Sequence, residues 1–453
     1  MKSELINTTY LEVNKVKRTR SSKHFAVYLR IAGLLIAMLL ISTSLLCLTA
    51  CGAPKDEPVT FADARFETVI CEKLGFNSIT TLYKSDVLSF DELDLSDQNI
   101  KDICDIAMFK NLKKLDLSGN SIGDISPLSS LTQLTELNLG GNKFADVTPL
   151  SNLSNLTQLD LSGNSIIDIS PLSNLVNLTE LNLVWNSNMF NYGKGISDIS
   201  ALSDLTKLTK LYLSGNDIKD ISALSHLTNL TELLLGSNIN ISDISALSEL
   251  TKLTKLDLSL NDISDISALS NLTNLTNLNL SSDGGLGMTS YNCISDLSPL
   301  SNLKNLTELD LNSSTSVFVG SDLSVLSNLS NMTVLDLGNT LICGDLSPLS
   351  NLTNLMMLNL SRNGISDISA LSKLANLSEL NLQYNDISDI SALANLTNLT
   401  VLDLCSNELN DISDVMPLYG LTHLEALSLE RNYLTSSEIS ELQSHLPDCN
   451  IKY

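Results

Sequence analysis

The chain has 453 residues and carries 27 Lys and Arg against 51 Asp and Glu, a formal net charge of −24. A surface this acidic argues against nucleic acid, and against an anionic membrane face, as the ligand. It favours cationic partners or plain solubility.

Residues 1–30 hold Lys15, Lys17, Arg18, Arg20, Lys23 and Arg30, and residues 31–50 are apolar and uncharged. A basic segment before an apolar one is the pattern of a secretory signal. The segment ends in Leu48-Thr49-Ala50-Cys51-Gly52, which resembles the lipobox of bacterial lipoproteins. That resemblance implies cleavage before Cys51 and lipid on its thiol and new amino terminus. The alternative is an uncleaved anchor, since about 20 apolar residues can span a bilayer. Small residues beside Cys51 favour lipidation, and Cys47, behind bulky Leu46, is the poorer candidate. Either reading puts residues 51–453 outside the cytoplasm and tethered to a bacterial cell membrane, stably so if several acyl chains are attached. Residues 51–58, polar with two prolines, read as a tether.

Residues 59–91 read as a helical N-terminal cap. Phe66, Val69, Ile70 and Leu74 fall on one helical face, with Glu67, Glu72 and Lys73 elsewhere. Residues 92–434 are about fifteen variations on one unit. Leu-x-Leu cores begin at Leu93, Leu115, Leu137, Leu159, Leu181, Leu211, Leu233, Leu256, Leu278, Leu309, Leu335, Leu358, Leu380, Leu402 and Leu427, with an uninterrupted spacing of 22 residues. Leu-x-Leu alternates with period two and suits a short half-buried strand. The Leu and Ile that follow at three-residue spacing are too few for an α-helix and suit a 3₁₀ turn. Asn120 and its equivalents stand at the bend, where a buried amide can satisfy turning backbone, and stacked copies predict a ladder. Ser126-Pro127, Thr148-Pro149, Ser170-Pro171, Ser298-Pro299 and Ser347-Pro348 predict a hydroxyl N-cap before proline. No single coil buries its own Leu and Ile, so coils must stack, with parallel strands roughly 4.8 Å apart. The predicted class is α/β: a leucine-rich-repeat solenoid with a curved parallel sheet on the concave face and short 3₁₀ turns on the convex face. Residues 435–453 read as a C-terminal cap, a helix over 436–446 and a last strand near 449–451.

The series Phe61…Phe66…Ile70…Leu74, followed by units such as Leu134-Thr-Glu-Leu137-Asn-Leu139, resembles the internalin-type bacterial leucine-rich-repeat proteins over residues 59–453. The resemblance implies a curved solenoid that binds protein through an exposed concave sheet. The sequence departs from it in showing no C-terminal immunoglobulin-like domain and no cell-wall sorting motif.

Residues 1–50 hold seven of the Lys and Arg and two of the Glu, leaving 20 basic against 49 acidic residues and a net charge of −29 beyond them. Part of that charge recurs before each 3₁₀ turn, as Asp124, Asp146, Asp168, Asp198, Asp220, Asp243, Asp265, Asp296, Asp367, Asp389 and Asp411. A calcium strip and a set of turn caps are the two readings. Capping is preferred, since no coil supplies the roughly six to eight oxygens calcium takes. Cys71, Cys104, Cys293, Cys343, Cys405 and Cys449 form no Cys-x-x-Cys pair, which excludes a zinc ribbon. Export permits disulfides, and a Cys71–Cys104 bridge is open, but free buried thiols are expected for most. His423 and His445 near Cys449 invite a metal reading, and surface polar residues in a terminal coil explain them more simply. Repeated Asn-Leu-Thr triplets match the glycosylation pattern but follow from the repeat itself. No cofactor, metal or catalytic constellation is expected, so the protein reads as a non-enzyme, monomeric and without nucleic-acid partners.

Departures from the repeat are the better guide to function. Small or acidic residues flank most of the paired leucines, but three neighbouring coils place Val184 and Trp185, then Tyr212, then Leu234 there. Trp185 is the only tryptophan, and an eight-residue insertion in its coil adds Phe190 and Tyr192. Exposed aromatics on a rigid face are typical binding anchors. The competing reading folds Trp185 inward to steady the insertion. A second irregularity puts Asp283, Ser314 and Thr340 at the Asn position, beside insertions near 284–293, 313–320 and 343–344, which predicts looser bends. The expected function is protein binding or adhesion through the concave face. The alternatives are an envelope scaffold holding a partner from the same cell, and carbohydrate binding on Trp185 and Tyr212.

Overall fold

The computed structural model describes residues 56–74, 81–186, 195–282, 292–313 and 323–453. The predicted signal, Cys51, Phe190, Tyr192, Asp283 and Ser314 lie outside them. Contacts divide the chain into Met1–Glu57 and Pro58–Tyr453, and every described element belongs to the second unit.

Sixteen three-residue strands, from β1 (Glu92–Asp94) to β16 (Asn450–Lys452), form one unclosed parallel sheet in sequence order. The register has no offset: Leu93 pairs with Leu115, Leu115 with Leu137, and Leu181 with Leu211 across the eight-residue insertion. The first fourteen strands are each followed by a 3₁₀ turn of three to six residues, such as Thr148–Leu150 or Leu323–Asn328. The spacing dictates this outcome. Leu112, Leu115, Leu117, Ile122, Ile125, Leu128 and Leu131 are all buried, and each such side chain contributes about 1.5–3 kcal/mol when fully covered.

The bends are held by the predicted ladder. Asn120 Nδ2 donates to Leu117 O at 2.8 Å in its own coil and to Leu95 O at 2.9 Å in the preceding one. Its Oδ1 accepts Ile100 N–H at 2.8 Å. Asn142, Asn216, Asn238, Asn385 and Asn407 repeat the donor pair with buried side chains. The expected break at Asp283 does not occur. Asn292, beyond the insertion, donates to Leu258 O and Leu280 O at 2.9 and 3.0 Å and accepts Ile263 N–H at 3.0 Å. Counting a fixed interval from the strand misplaces the ladder residue when an insertion precedes the bend. Thr340 is a true substitute, its hydroxyl donating to Leu337 O at 2.6 Å.

Of the two caps expected, the hydroxyl is not found and the preferred Asp is. The residue before each Ser-Pro turn is the apolar Ile or Leu, such as Ile125, and no hydroxyl caps it. The Asp column does that work. Asp124 Oδ1 accepts Ser126 N–H at 2.8 Å, and every other Asp of the column does the same two residues on.

At the N-terminus, α1 (Ala64–Leu74) buries Phe66, Val69 and Ile70. Asp63 caps it, its Oδ1 accepting the N–H groups of Arg65 and Phe66 at 2.8 and 2.7 Å. A second short helix, α2 (Lys84–Leu88), leads into β1. Asp105, buried in the first coil's 3₁₀ turn, takes the N–H groups of Ala62 and Asp63 at 2.8 and 3.0 Å and so ties cap to coil. At the C-terminus, α3 (Ile412–Val415) precedes α4 (Ser436–His445), which starts with a Thr435/Glu438 capping box. Glu438 Oε1 also accepts Ile412 N–H at 3.2 Å, joining the two helices. No described helix is long and apolar enough to cross a membrane.

Candidate concave-face binding site

Each strand offers its first and third residues to the open face of the sheet. The third position is dominated by Asp and Asn: Asp94, Asp116, Asn138, Asp160, Asn182, then Asp257, Asn279, Asp310 and Asp336. The first position alternates in sign, with Lys114 Nζ 2.8 Å from Glu136, and Lys210 Nζ 3.9 and 3.8 Å from Glu180 and Glu232. Such exposed pairs contribute little stability. The carboxyl of Asp310 is pushed up by burial, its backbone hydrogen bond from Asn312 opposing, and by neighbouring Asp336 and Asp257. The middle of the face is therefore strongly acidic.

Tyr212 and Leu234 interrupt that acidic row, paired in register on β6 (Lys210–Tyr212) and β7 (Glu232–Leu234). The Tyr212 hydroxyl donates to Glu232 Oε2 at 3.0 Å. Burial and that carboxylate push the phenol up, so it stays protonated and fixed in direction. Val184 is half-buried one column further on, beside Ser214 of the next coil.

Trp185 is not on the strand edge. It occupies the turn just beyond, with φ +55°, in a column where Gly119, Gly141, Gly163 and Gly215 have φ between +64° and +71°. Neither competing expectation for it describes the structure fully. The indole is 53% exposed, so it is not folded inward, but it lies over Gly215 of the next coil. A β-carbon at Gly215 would stand 2.5 Å from the ring. Trp185, Tyr212 and Leu234 thus sit on three successive coils, the indole at the rim and the other two on the face. Gly215→Ala is expected to dislodge the indole and to strain a left-handed turn. Because Trp185 is the sole tryptophan, a changed emission maximum reports it directly, and an unchanged spectrum would mean that the ring does not rest there.

A second apolar patch went unnoticed in the sequence. Val334, Met357 and Val401 take the first strand position on β11 (Val334–Asp336), β12 (Met357–Asn359) and β14 (Val401–Asp403). With Glu379 on β13 (Glu379–Asn381) they line a shallow trough of about 330 Å³, floored by Asp336, Asn359, Asn381 and Asp403. Met357 and Val401 are each 40% exposed. The available signal was the loss of Glu or Lys at the first position of three nearby coils.

On the opposite side, a cleft of about 700 Å³ is lined by Lys219, Asp220, Ser222, Asp243 and Ser245. Its carboxylates are committed to their turns, and among the described residues no His, Cys, Asp and Glu group is arranged to hold a metal. The backbone N–H of the Ser two residues on, and then its hydroxyl, hold Asp168, Asp198, Asp220, Asp243, Asp265, Asp296, Asp367 and Asp389 below the usual carboxylate range. At Asp146, Asp345 and Asp411 the hydroxyl is the larger influence. A folded pKa below the unfolded one gives stability that is present above the ordinary value near 3.9 and lost as pH falls through the depressed values. Thermal unfolding at high salt, where self-repulsion is screened, is expected to hold steady from neutral pH and to drop below about pH 4.

The six cysteines beyond Cys51 are free, but only Cys71, Cys405 and Cys449 are buried. Cys104, Cys293 and Cys343 are exposed, against the expectation of mostly buried thiols, and Cys71 and Cys104 are not bridged. His445 stacks on Tyr419 with ring centres 3.7 Å apart, and His423 bonds Thr397 O at 2.9 Å. These contacts account for both rings without a metal.

One strand and one 3₁₀ turn per unit, with an asparagine ladder between them, define a leucine-rich-repeat protein. The family profile described as "Leucine Rich repeats (2 copies)" matches residues 110–152, 154–204, 206–249, 353–395 and 375–415, and a single-repeat profile matches 249–270. An internalin of Listeria monocytogenes is similar over 89% of this chain and 98% of its own, at 32% identity and a TM-score of 0.56. The chain belongs to the internalin-like leucine-rich-repeat family. A leucine-rich-repeat protein of Leptospira interrogans shares the fold at 23% identity and a TM-score of 0.67, over 82% of this chain and 97% of its own. The functional domain of InlJ from Listeria monocytogenes, described as including a cysteine ladder, does so at 23% and 0.65, over 84% and 82%. No curated protein matches the chain.

Proposed function

We propose that this is a lipid-anchored, extracytoplasmic binding protein that captures another protein on its concave face. Trp185, Tyr212 and Leu234 are the anchors and Val184 flanks them, and Phe190 and Tyr192, in the insertion that follows Trp185 in sequence, are further candidates. The observation that carries the reading is the exposed indole beside the Tyr212–Leu234 pair on a rigid, in-register sheet. Large rings and a Leu held still in water lose little freedom on binding. The lipobox-like Leu48-Thr49-Ala50-Cys51 supports the anchor, with lipid on Cys51 and residues 51–58 as tether. Residues 59–91 and 435–453 serve as covers for the repeats at 92–434.

The test immobilises the full chain in detergent and offers it envelope proteins of its own cell and surface proteins of foreign cells. The parent is expected to capture one protein, and the Trp185→Ala/Tyr212→Ala pair to bind it at least about thirtyfold more weakly. A partner from the same envelope identifies a scaffold, and a foreign one an adhesin. Equal capture by parent and variant sinks the aromatic site. Quenching of Trp185 by soluble glycans, without protein capture, would replace this reading with carbohydrate binding.

A further inference from the structure

Beyond Arg65 the chain contains two arginines, Arg362 and Arg431, against many lysines. Both meet the same ring. The Arg362 guanidinium lies 4.4 Å from the Tyr384 ring centre and that of Arg431 lies 5.9 Å from it. Arg431 Nη1 also donates to the Tyr384 hydroxyl at 3.0 Å. The three residues come from coils twelve, thirteen and fifteen, with Ser406 on the coil between. All stand in the left-handed turn column, at φ +55° to +56°, where coils two to four carry glycine. Large L-residues there cost about 1–2 kcal/mol each, so the local backbone does not ask for them.

Tyr384 steadies the two guanidiniums, Arg362 by stacking on the ring and Arg431 through the bond from Nη1 to its hydroxyl, and leaves their other N–H groups open to a ligand. Arg362 and Arg431 are exposed, and among the described residues neither has a carboxylate at ion-pair distance. In a chain of net charge −24, with Glu379, Asp403 and Glu430 on the same coils, that is a local reversal of sign. Two guanidiniums held by one tyrosine suit a planar oxyanion, to which each can offer a pair of hydrogen bonds.

We propose that Arg362 and Arg431, held by Tyr384, form a carboxylate-binding subsite that receives one acidic side chain of a protein partner. The proposal rests on the reading of the concave face as a protein-binding surface and names a chemical feature of what binds. The Val334–Met357–Val401 trough on the same coils explains why a peptide is favoured over a glycan. It takes apolar side chains, and Met357 is five residues, about 16 Å at strand rise, from Arg362. The surrounding acidic rows limit the ligand to a single carboxylate, since an acidic run would meet Glu379, Asp403 and Glu430. The partner segment is therefore apolar and neutral or cationic, with one acidic residue that sets its register.

The full chain, labelled at arginine and held in detergent, has six side-chain Nε signals, from Arg18, Arg20, Arg30, Arg65, Arg362 and Arg431. Arg362→Lys and Arg431→Lys assign the two of interest. The probes are the peptide acetyl-Leu-Lys-Leu-Glu-Leu-amide, its Gln counterpart, and a sulfated disaccharide. The Glu peptide is expected to move both signals with one midpoint while the Arg65 signal stays still. The Gln peptide should need about tenfold more, and the Lys variants should weaken the Glu peptide about tenfold although charge is kept. Still signals, or equal midpoints for Glu and Gln peptides, overturn the subsite and leave the arginines as turn supports. A tighter midpoint for the disaccharide overturns the protein ligand. Capture from envelope or cell-surface fractions separates the two readings. If the Lys double variant holds the partner as the parent does while Trp185→Ala/Tyr212→Ala loses it, the subsite fails and the proposed function stands. If the parent captures nothing, the proposed function fails, and the peptide titration still decides the subsite.

Discussion

Replacing Asn238 by alanine is expected to lower stability by about 3–5 kcal/mol, the largest effect of any single polar substitution here. The side chain is fully buried. Its Nδ2 donates to Leu213 O at 3.1 Å and Leu235 O at 2.9 Å, and its Oδ1 accepts Ile218 N–H at 3.1 Å. Alanine leaves two carbonyls and one N–H in a dry bend, each costing about 1–3 kcal/mol. The lost bonds cross between coils, so the damage falls on the coupling of neighbours that makes a solenoid cooperative. Urea unfolding is expected to split into two transitions around this coil. Asn240, two residues away and exposed, bonds only Asp217 at 3.0 Å, and its alanine variant should shift stability by less than about 0.5 kcal/mol. Equal losses at both positions would refute the ladder as the source of stability.

The second large effect is expected at Asp105. Its Oδ2 holds the N–H groups of Ala62 and Asp63, and charged hydrogen bonds of this sort contribute about 1.5–3 kcal/mol apiece. Asp105→Ala should cost about 3 kcal/mol and should loosen the helical cover over Ile103 and Ile106. Hydrogen exchange is expected to rise over residues 59–74 first, and aggregation to follow, because a solenoid end without its cover exposes an apolar row. Asp102→Ala removes a neighbouring carboxylate that accepts only Cys104 N–H and provides the comparison. Fast exchange confined to the central coils in Asp105→Ala would show that the tie is unimportant.

The repeat was legible because one physical demand, burial of Leu and Ile in a fixed order, is written many times over. Leu-x-Leu marked β1 to β15 by counting, and the 436–446 helix appears as Ser436–His445. What failed were choices between chemically similar partners. Asp and Ser were both read as turn caps, and only the first holds: Asp168 accepts Ser170 N–H as expected, while the residue before the turn is Ile169 and not a hydroxyl. Asp283 looked like a lost ladder residue because spacing alone cannot reveal that the chain leaves and returns before Asn292. The candidate site was half legible. Tyr212 and Leu234 stood out as apolar residues at acidic positions. Trp185 was placed one step wrong, because a left-handed turn does not announce itself when its residue is not glycine. Val334, Met357 and Val401 were missed because each is an ordinary strand residue on its own, and they become a patch only when β11 to β14 are laid side by side.

Zero-offset pairing has one more consequence. Inserting or deleting a regular 22-residue unit between Leu234 and Val334 would preserve the strand register, since every strand there pairs its middle leucine with that of the next. It would change only the separation of the two apolar patches, by one strand spacing, about 4.8 Å. The length of the array is thus a graduated scale, on which the reach between the two apolar patches can be reset one notch at a time without redesigning either.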